Sequence, residues 1–235
     1  ERLDKCLANQ GVGSRSEVQK LIRSGRVLVD GQIVRKPEQK VDSESAEIEV
    51  NGVRLDFRRF VYMMQNKLKG VISASRGTDH RPTVIDILPE NLKRKNLFPA
   101  GRLDADTTGF VLITDDGEFA HDILSPRKHV PKTYYVKTDR EAPAESIRQM
   151  EEGMVLRDGT CCKPAQVMVL GSCEYRIVLR EGRYHQIRRM FGAAGCRVEE
   201  LKREKIGGLA LDLTLKEGES RLLTRKEKDS IQSCE

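Results

Sequence analysis

Residues 14–34, SRSEVQKLIRSGRVLVDGQIV, leave the start of the chain few choices. Ser14 followed by Glu17 is a capping-box pattern, in which each side chain serves the other residue's backbone amide. Val18, Leu21 and Ile22 recur at helical spacing, and Gly25 can close the helix. The alternation of RVLVDGQIV breaks at Asp30-Gly31, a two-residue turn signal that joins antiparallel strands. Upstream, RLDKCLANQG puts Leu3, Cys6 and Leu7 on one face and ends at Gly11. The spacing predicts helix, helix, hairpin over residues 2–36. Residues 50–61, VNGVRLDFRRFV, read as a linker or connecting strand.

Charge is distributed unevenly. The chain has 235 residues and a net charge of +6, yet residues 1–41 hold nine Lys/Arg against five Asp/Glu. Residues 42–56 then hold five acids and one Arg. A regional basic excess fits a nucleic-acid surface. Arg15, Lys20, Arg23 and Arg26 lie mostly off the apolar stripe, which on spacing alone fits a solvated helix face equally well. At 38% apolar and 33% charged residues the composition is that of a soluble globular chain. No run of 18 apolar residues marks a membrane span. The six cysteines form no CxxC pair, and they read as reduced thiols of a cytoplasmic-type compartment, with an organelle as the alternative.

From Val61 onward the elements are mixed. VYMMQNKLKGVISAS reads as strand, turn at Lys69-Gly70, strand, and RPTVIDILP as a short helical piece. Phe110–Ile113 is a strand, DGEFAHDILS a helix and VPKTYYVKT a strand. APAESIRQMEEGM is a helix from near Pro143, and KPAQVMVL and EYRIVLREG are strands. RYHQIRRMFGAAG is a helix closed by Gly195, CRVEELKREKIGG and LTLKEGESRLLT add strands, and a short helix follows Thr224. No strand–helix alternation is sustained, so the predicted class is α+β. A small N-terminal helix-helix-hairpin domain occupies residues 1–58 with its linker. A larger domain, 59–235, carries a mixed or antiparallel sheet with peripheral helices.

Three segments of the second part can carry chemistry. In GRLDADTTG, residues 101–109, an Asp between glycines is ordinarily a turn residue bonded to nearby amides. Adjacent Tyr134 and Tyr135 in a strand face opposite sides, one toward core and the other toward a cleft or solvent. In EGRYHQIRRMF, Arg188 and Arg189 point about 100° apart on a helix, and a partly buried Arg needs a carboxylate. His80, His121, His129 and His185 are scattered, with no metal spacing, and read as structural. No GxSxG occurs. A glycoside hydrolase would need a second placed carboxylate; Asp106, Asp115 and Asp116 can be nominated, but nothing orients them.

GVGSRSEVQKLIRSGRVLVDGQIV resembles the small S-four-type (alpha-L) RNA-binding module, over roughly residues 1–50. The resemblance implies that the second helix and the hairpin face RNA, and makes Arg15, Lys20, Arg23 and Arg26 phosphate-contact candidates. The ordered set GRLDADTTG, KTYY and EGRYHQIRRMF, following such a module, looks like the pseudouridine synthases, most like the branch that modifies small-subunit ribosomal RNA. The resemblance spans nearly the whole chain. A branch acting on large-subunit RNA shares the domain order, and YHQ before Ile187 favours the small-subunit branch.

The resemblance implies that Asp104 is the catalytic nucleophile and that Arg102 helps keep the flipped nucleotide out of its stack. It implies that Tyr134 stacks on the target base, that Ile187 lines the uracil pocket, and that Arg188 pairs with the catalytic carboxylate. Tyr135 is then core, while Asp106 and the threonines brace the loop. It implies ribosomal RNA as partner, free or in a pre-ribosomal particle, with no membrane, a monomeric state, and no metal or other cofactor, since isomerisation conserves atoms. One departure is NKLKG, residues 66–70, where relatives carry NKPxG; Leu68 gives up the turn that proline presets. The competing class is a non-catalytic RNA-binding assembly factor, which explains the basic module but not the joint presence of Asp104, Tyr134 and Arg188.

Overall fold

The computed structural model describes residues 1–42, 46–55, 60–77, 80–125 and 130–233. Residues 56–59 of the expected linker, His129 and Cys234 lie outside the described residues. The chain separates into two compact units. One is Glu1–Val61 with Pro89–Leu97, and the other is Tyr62–Leu88 with Phe98–Glu235.

The first unit opens with α1 (Leu3–Asn9) and α2 (Arg15–Arg23). Ser14 and Glu17 close the capping box, the Ser14 amide donating to Glu17 Oε2 at 2.7 Å. β1 (Val27–Val29) and β2 (Gln32–Ile33) form the hairpin across Asp30-Gly31, whose φ of 52° and 75° are those of a type I′ turn. The expected linker instead begins with a second hairpin. β3 (Ile48–Val50) pairs with β4 (Val53–Arg54) across Asn51-Gly52, with φ of 53° and 77°. β3 also pairs with β1, giving the order β2-β1-β3-β4. Leu3, Leu7, Val18, Ile22, Val27 and Ile48, all fully buried, form one core under both helices. Burial of each such side chain contributes about 2 kcal/mol.

The second unit is built on β5 (Tyr62–Lys67), β6 (Phe98–Pro99), β7 (Thr108–Thr114), β8 (Lys132–Thr138), β9 (Gln166–Gly171) and β10 (Glu174–Leu179). It is completed by β11 (Val198–Ile206), β12 (Leu209–Ala210) and β13 (Ser220–Leu222). The sheet runs β13-β5-β7-β11-β8-β10-β9, with β6 on β7 and β12 on β11. Among the described residues its one parallel pair is β7 with β11, through Thr108 and Gly109 against Lys202 and Arg203. A Cβ on Gly109 would lie 2.4 Å from the Arg203 carbonyl oxygen, and its φ is +95°, so only glycine lets the two strands approach this closely.

Helices α3 (Gly117–Leu124), α4 (Ala144–Glu152), α5 (Gln186–Ala193) and α6 (Arg225–Gln232) cover this sheet. One apolar cluster joins Met150, Ile187, Met190 and Phe191 to Val136, Ile177 and Leu201; a second joins Phe119, Ile123 and Ile231 to Met64, Phe110 and Leu112. Two sequence expectations fail. Residues 71–77 form no second strand, only an isolated bridge from Ile72 to Thr83, and residues 83–88 make turns rather than a helical piece. In both segments polar and Pro/Gly positions interrupt the apolar run before a ladder or helix can propagate.

Candidate active site

The motif GRLDADTTG becomes the loop between β6 and β7, held from several directions. The Leu103 amide donates to Ser73 Oγ at 3.1 Å, and the Gly70 amide to the Ala105 carbonyl at 2.7 Å. From beneath, Lys67 at the end of β5 is fully buried, and its Nζ donates to the carbonyls of Leu68, Ala105 and Thr107 at 3.0, 3.2 and 2.7 Å. Burial brings the Lys67 ammonium down to about 8, opposed by the attraction of Asp106 and Asp104 and assisted by the repulsion of Arg203. The NKLKG turn is anchored without its proline: Asn66 Nδ2 donates to the Leu215 carbonyl at 2.9 Å, and the Gly218 amide to the Asn66 carbonyl at 2.6 Å.

Arg203 supplies a second buried cation. It is 3% exposed, its Nε donates to the Phe110 carbonyl at 2.7 Å, and its Nη2 has no hydrogen-bond partner. Asp104 sits above, about one-third exposed, in an open cleft of about 890 Å³ lined also by Ser73, Arg81, Arg102, Tyr184 and His185. His185 Nε2 lies 3.4 Å from Asp104 Oδ1.

Arg188 does not pair with Asp104, as the resemblance implies, but with Asp106: its Nη2 lies 2.9 Å from Asp106 Oδ2, and its Nη1 donates to the Val198 carbonyl at 3.1 Å. The Thr107 amide closes a turn onto the Asp104 carbonyl at 3.1 Å, and across that turn the two carboxylates take different partners. Asp106 therefore braces the loop, as expected, by holding an arginine. Tyr134 packs against the apolar cluster that contains Ile187, which is 4% exposed, and Val136. Tyr135, expected to be core, is instead only partly buried on the opposite face. There, burial first and a hydrogen bond with Glu174 second push its phenol upward. Alternation places the two rings on opposite faces but does not say which face is covered.

The structure thus gathers Asp104, Arg102 and His185 in one cleft, brings Arg188 to the same loop through Asp106, and seats Tyr134 and Ile187 in the adjoining apolar cluster. His185, read from the sequence as structural, faces the candidate nucleophile. Lys67 and Arg203 were not singled out in the sequence; the signal was a cation inside an otherwise buried strand pattern. Asp116, nominated as a second carboxylate, caps α3 by accepting from the Phe119 amide at 3.0 Å and takes the Tyr62 hydroxyl at 2.6 Å. Among the described residues no group of His, Cys, Asp and Glu is placed to hold a metal ion, and no helix is long and apolar enough to cross a membrane.

In the first unit Arg15, Lys20, Arg23 and Arg26 are all exposed. Fully buried Asp4 orders one end of this surface. It accepts from Arg2 Nε and Nη2, both at 3.0 Å, from Gln19 Nε2 at 2.9 Å and from Arg15 Nε at 3.4 Å. The Arg2 hydrogen bonds, with help from Gln19 and Arg15, hold its carboxyl well below the usual range.

Residues 61–193 match the RNA pseudouridylate synthase family, and residues 1–48 match the S4 domain. The chain is 42% identical over 232 residues to the ribosomal small subunit pseudouridine synthase A of Escherichia coli, covering 98% of this chain and 99% of that protein. It is 42% identical over 230 residues to an uncharacterized RNA pseudouridine synthase, YtzG, of Bacillus subtilis, covering 96% of each. A crystal structure of a pseudouridylate synthase superposes with a TM-score of 0.69 at 38% identity, covering 98% of this chain and 99% of that one. With an aspartate presented in a cleft on a braced loop, and matches over residues 61–193 and 1–48, the chain belongs to the RNA pseudouridylate synthase family.

Proposed function

We propose that this protein converts a uridine of small-subunit ribosomal RNA to pseudouridine, with Asp104 as the nucleophile. The observation that carries the reading is the presentation of Asp104: a carboxylate about one-third exposed in an open cleft, on a loop clamped from beneath by Lys67. The choice of RNA rests on the similarity to ribosomal small subunit pseudouridine synthase A. The basic surface of Arg15, Lys20, Arg23 and Arg26 grips the phosphate backbone, and recognition there is of shape more than of base identity.

The target uridine leaves its stack to reach the carboxylate, at a cost of a few kcal/mol that is smallest in an unpaired loop. Arg102 on the cleft rim holds the vacated position, and Tyr134 supplies the ring against which the base is held. The ionised Asp104 attacks the anomeric carbon, or takes the proton from ribose carbon 2 to give a glycal. In either route uracil departs as a delocalised anion, rotates, and bonds to the sugar through carbon 5 as Asp104 leaves the anomeric carbon or returns its proton to ribose carbon 2, and the proton on uracil carbon 5 is then released. The cations Lys67, Arg188 and Arg203 around the loop favour the anionic base as it departs. Atoms are conserved, so the reaction consumes no redox equivalent and no nucleotide.

The protein acts as a monomer in a cytoplasmic-type compartment, on ribosomal RNA or a pre-ribosomal particle. Tritium release from small-subunit RNA labelled at uracil carbon 5 tests the activity. Wild type releases tritium, and Asp104→Asn binds the RNA but releases none. Substantial release by Asp104→Asn would sink the nucleophile assignment, and modification of large-subunit RNA alone would sink the substrate assignment.

A further inference from the structure

Two side chains at the cleft mouth serve no purpose that folding explains. Tyr184 is 76% exposed. His185 is the N-cap of α5, yet it adopts the left-handed conformation, with φ 48° and ψ 32°, and its side chain makes no capping bond. Helix N-caps ordinarily have extended backbone and a Ser, Thr, Asp or Asn that bonds the first-turn amides. Non-glycine residues in the left-handed region cluster at functional sites.

The turn that carries them is rigidly built. Buried Gln186 accepts from the Arg183 amide at 3.0 Å and donates to Glu181 Oε1 at 2.8 Å. Glu181 Oε1 also accepts from the Lys163 amide at 2.8 Å, and Arg189 Nη1 donates to the Tyr184 carbonyl at 3.3 Å. This frame fixes the two rings in a stack, centroids 3.9 Å apart and planes 16° apart. The imidazole is covered on one face by Tyr184 and reaches Asp104 with its edge. The outer face of Tyr184 is left to solvent.

Resting on the function proposed above, we propose that Tyr184 and His185 form a stacking platform for an unpaired nucleobase of the RNA next to the target uridine. Its occupant is a base rather than an aromatic side chain because exposed Arg81 and Arg102 line the cleft and suit a polyanion. A volume of about 890 Å³ lies near the upper end of small-ligand pockets, which leaves room for the flipped uridine and a neighbour. A base added to the outer face of Tyr184 extends an existing two-ring stack and holds His185, and with it the Asp104 carboxylate, in place. His185 is a positioning residue in this scheme, acting through Asp104. Stacking reads the π-face and not the base edge, so the platform senses whether the neighbour is unpaired more than which base it is.

Two measurements on the full chain test the platform. The first follows initial rates of tritium release from an Escherichia coli small-subunit RNA transcript for wild type, Tyr184→Ala, Tyr184→Leu and Tyr184→Phe. One base–aromatic stack corresponds to a change of about five- to 150-fold. Ala and Leu raise KM within that range, while Phe, which restores the ring, recovers most of the loss. Equal KM values across the four, or full recovery by Leu, overturn the platform. The second is independent of turnover: binding of a single-stranded RNA nonamer with a central 2-aminopurine, whose fluorescence is quenched on stacking. Wild type and Tyr184→Phe quench it and Tyr184→Ala does not; equal quenching by Tyr184→Ala overturns the proposal. A wild type that quenches the nonamer but releases no tritium contradicts the proposed activity and supports the platform.

Discussion

The Arg188 guanidinium is bonded to Asp106 at 2.9 Å, while Asp104, two residues earlier on the same loop, faces His185. Arg188 thus acts on the Asp104 loop through Asp106, not through a direct ion pair with Asp104. Arg188 is tied at its other nitrogen to the Val198 carbonyl and so links α5, β11 and the loop.

Asp106→Asn weakens that link while leaving Asp104, the proposed nucleophile, chemically intact. Single-turnover tritium release should fall by about 10²-fold, the scale of a small misplacement of a reacting group, without reaching zero. Arg188→Lys should lose a similar amount, and the double variant should lose much less than the product of the two, because both changes break one interaction. Independent, multiplicative losses would show that the pair does not act as a unit.

Lys67 predicts opposite pH trends for activity and stability. Its folded value is about 8 against an ordinary 10.5, so between those values the unfolded chain binds more protons than the native one. Stability contributed by this group therefore rises with pH across that window. Activity declines over the same range, because the loop loses a positive charge beside Asp104 and Asp106. A pH–rate profile should show an alkaline limb near 8, and Lys67→Met should lose most activity and that limb together. Urea midpoints measured from pH 7.5 to 10 check the stability side.

Two glycines should differ sharply in what an alanine costs. Gly31 has φ +75° with nothing within 4 Å of an added Cβ, so Gly31→Ala costs about 1 kcal/mol of conformational strain. Gly109→Ala meets the Arg203 carbonyl at 2.4 Å and must push β7 from β11, at about 3 kcal/mol or more. Denaturant unfolding of the two variants compares them directly.

Asp4 governs the acid behaviour of the first unit. Its folded value lies below its unfolded value, so the stability it adds is fully present above about pH 4 and is lost as pH falls further. Asp4→Asn removes an acceptor shared by charged donors, at about 2 kcal/mol, and lets Arg2 and Arg15 swing free. RNA affinity should weaken while tritium release at saturating RNA is unchanged. An unaltered Kd would show that the ordered arginines do not contribute to the grip.

How much the sequence revealed follows from the range of the physics involved. The capped helix and the Asp30-Gly31 hairpin are local, and both formed as predicted. Asn51-Gly52 carries the same turn signal, but the strands beside it are three and two residues long, too short for alternation to stand out. The three chemical motifs could be read in order, yet which of Asp104 and Asp106 takes Arg188 depends on the fold of a loop, and two carboxylates two residues apart are equivalent in a linear pattern. Period-two alternation separated Tyr134 from Tyr135 but could not say which side the helices cover. Lys67 and Arg203 escaped notice because a buried cation is identified by what surrounds it in space.

The parallel contact of β7 with β11 also sets a schedule. Gly109 and Phe110 receive the Arg203 backbone and side chain from a strand some 93 positions further along. During synthesis Asp104 leaves the ribosome long before that strand does, and loop closure over such a span is slow. A nascent chain therefore carries Asp104 without the frame that aims it, and the protein gains its chemistry only after its RNA-gripping module has already had time to fold.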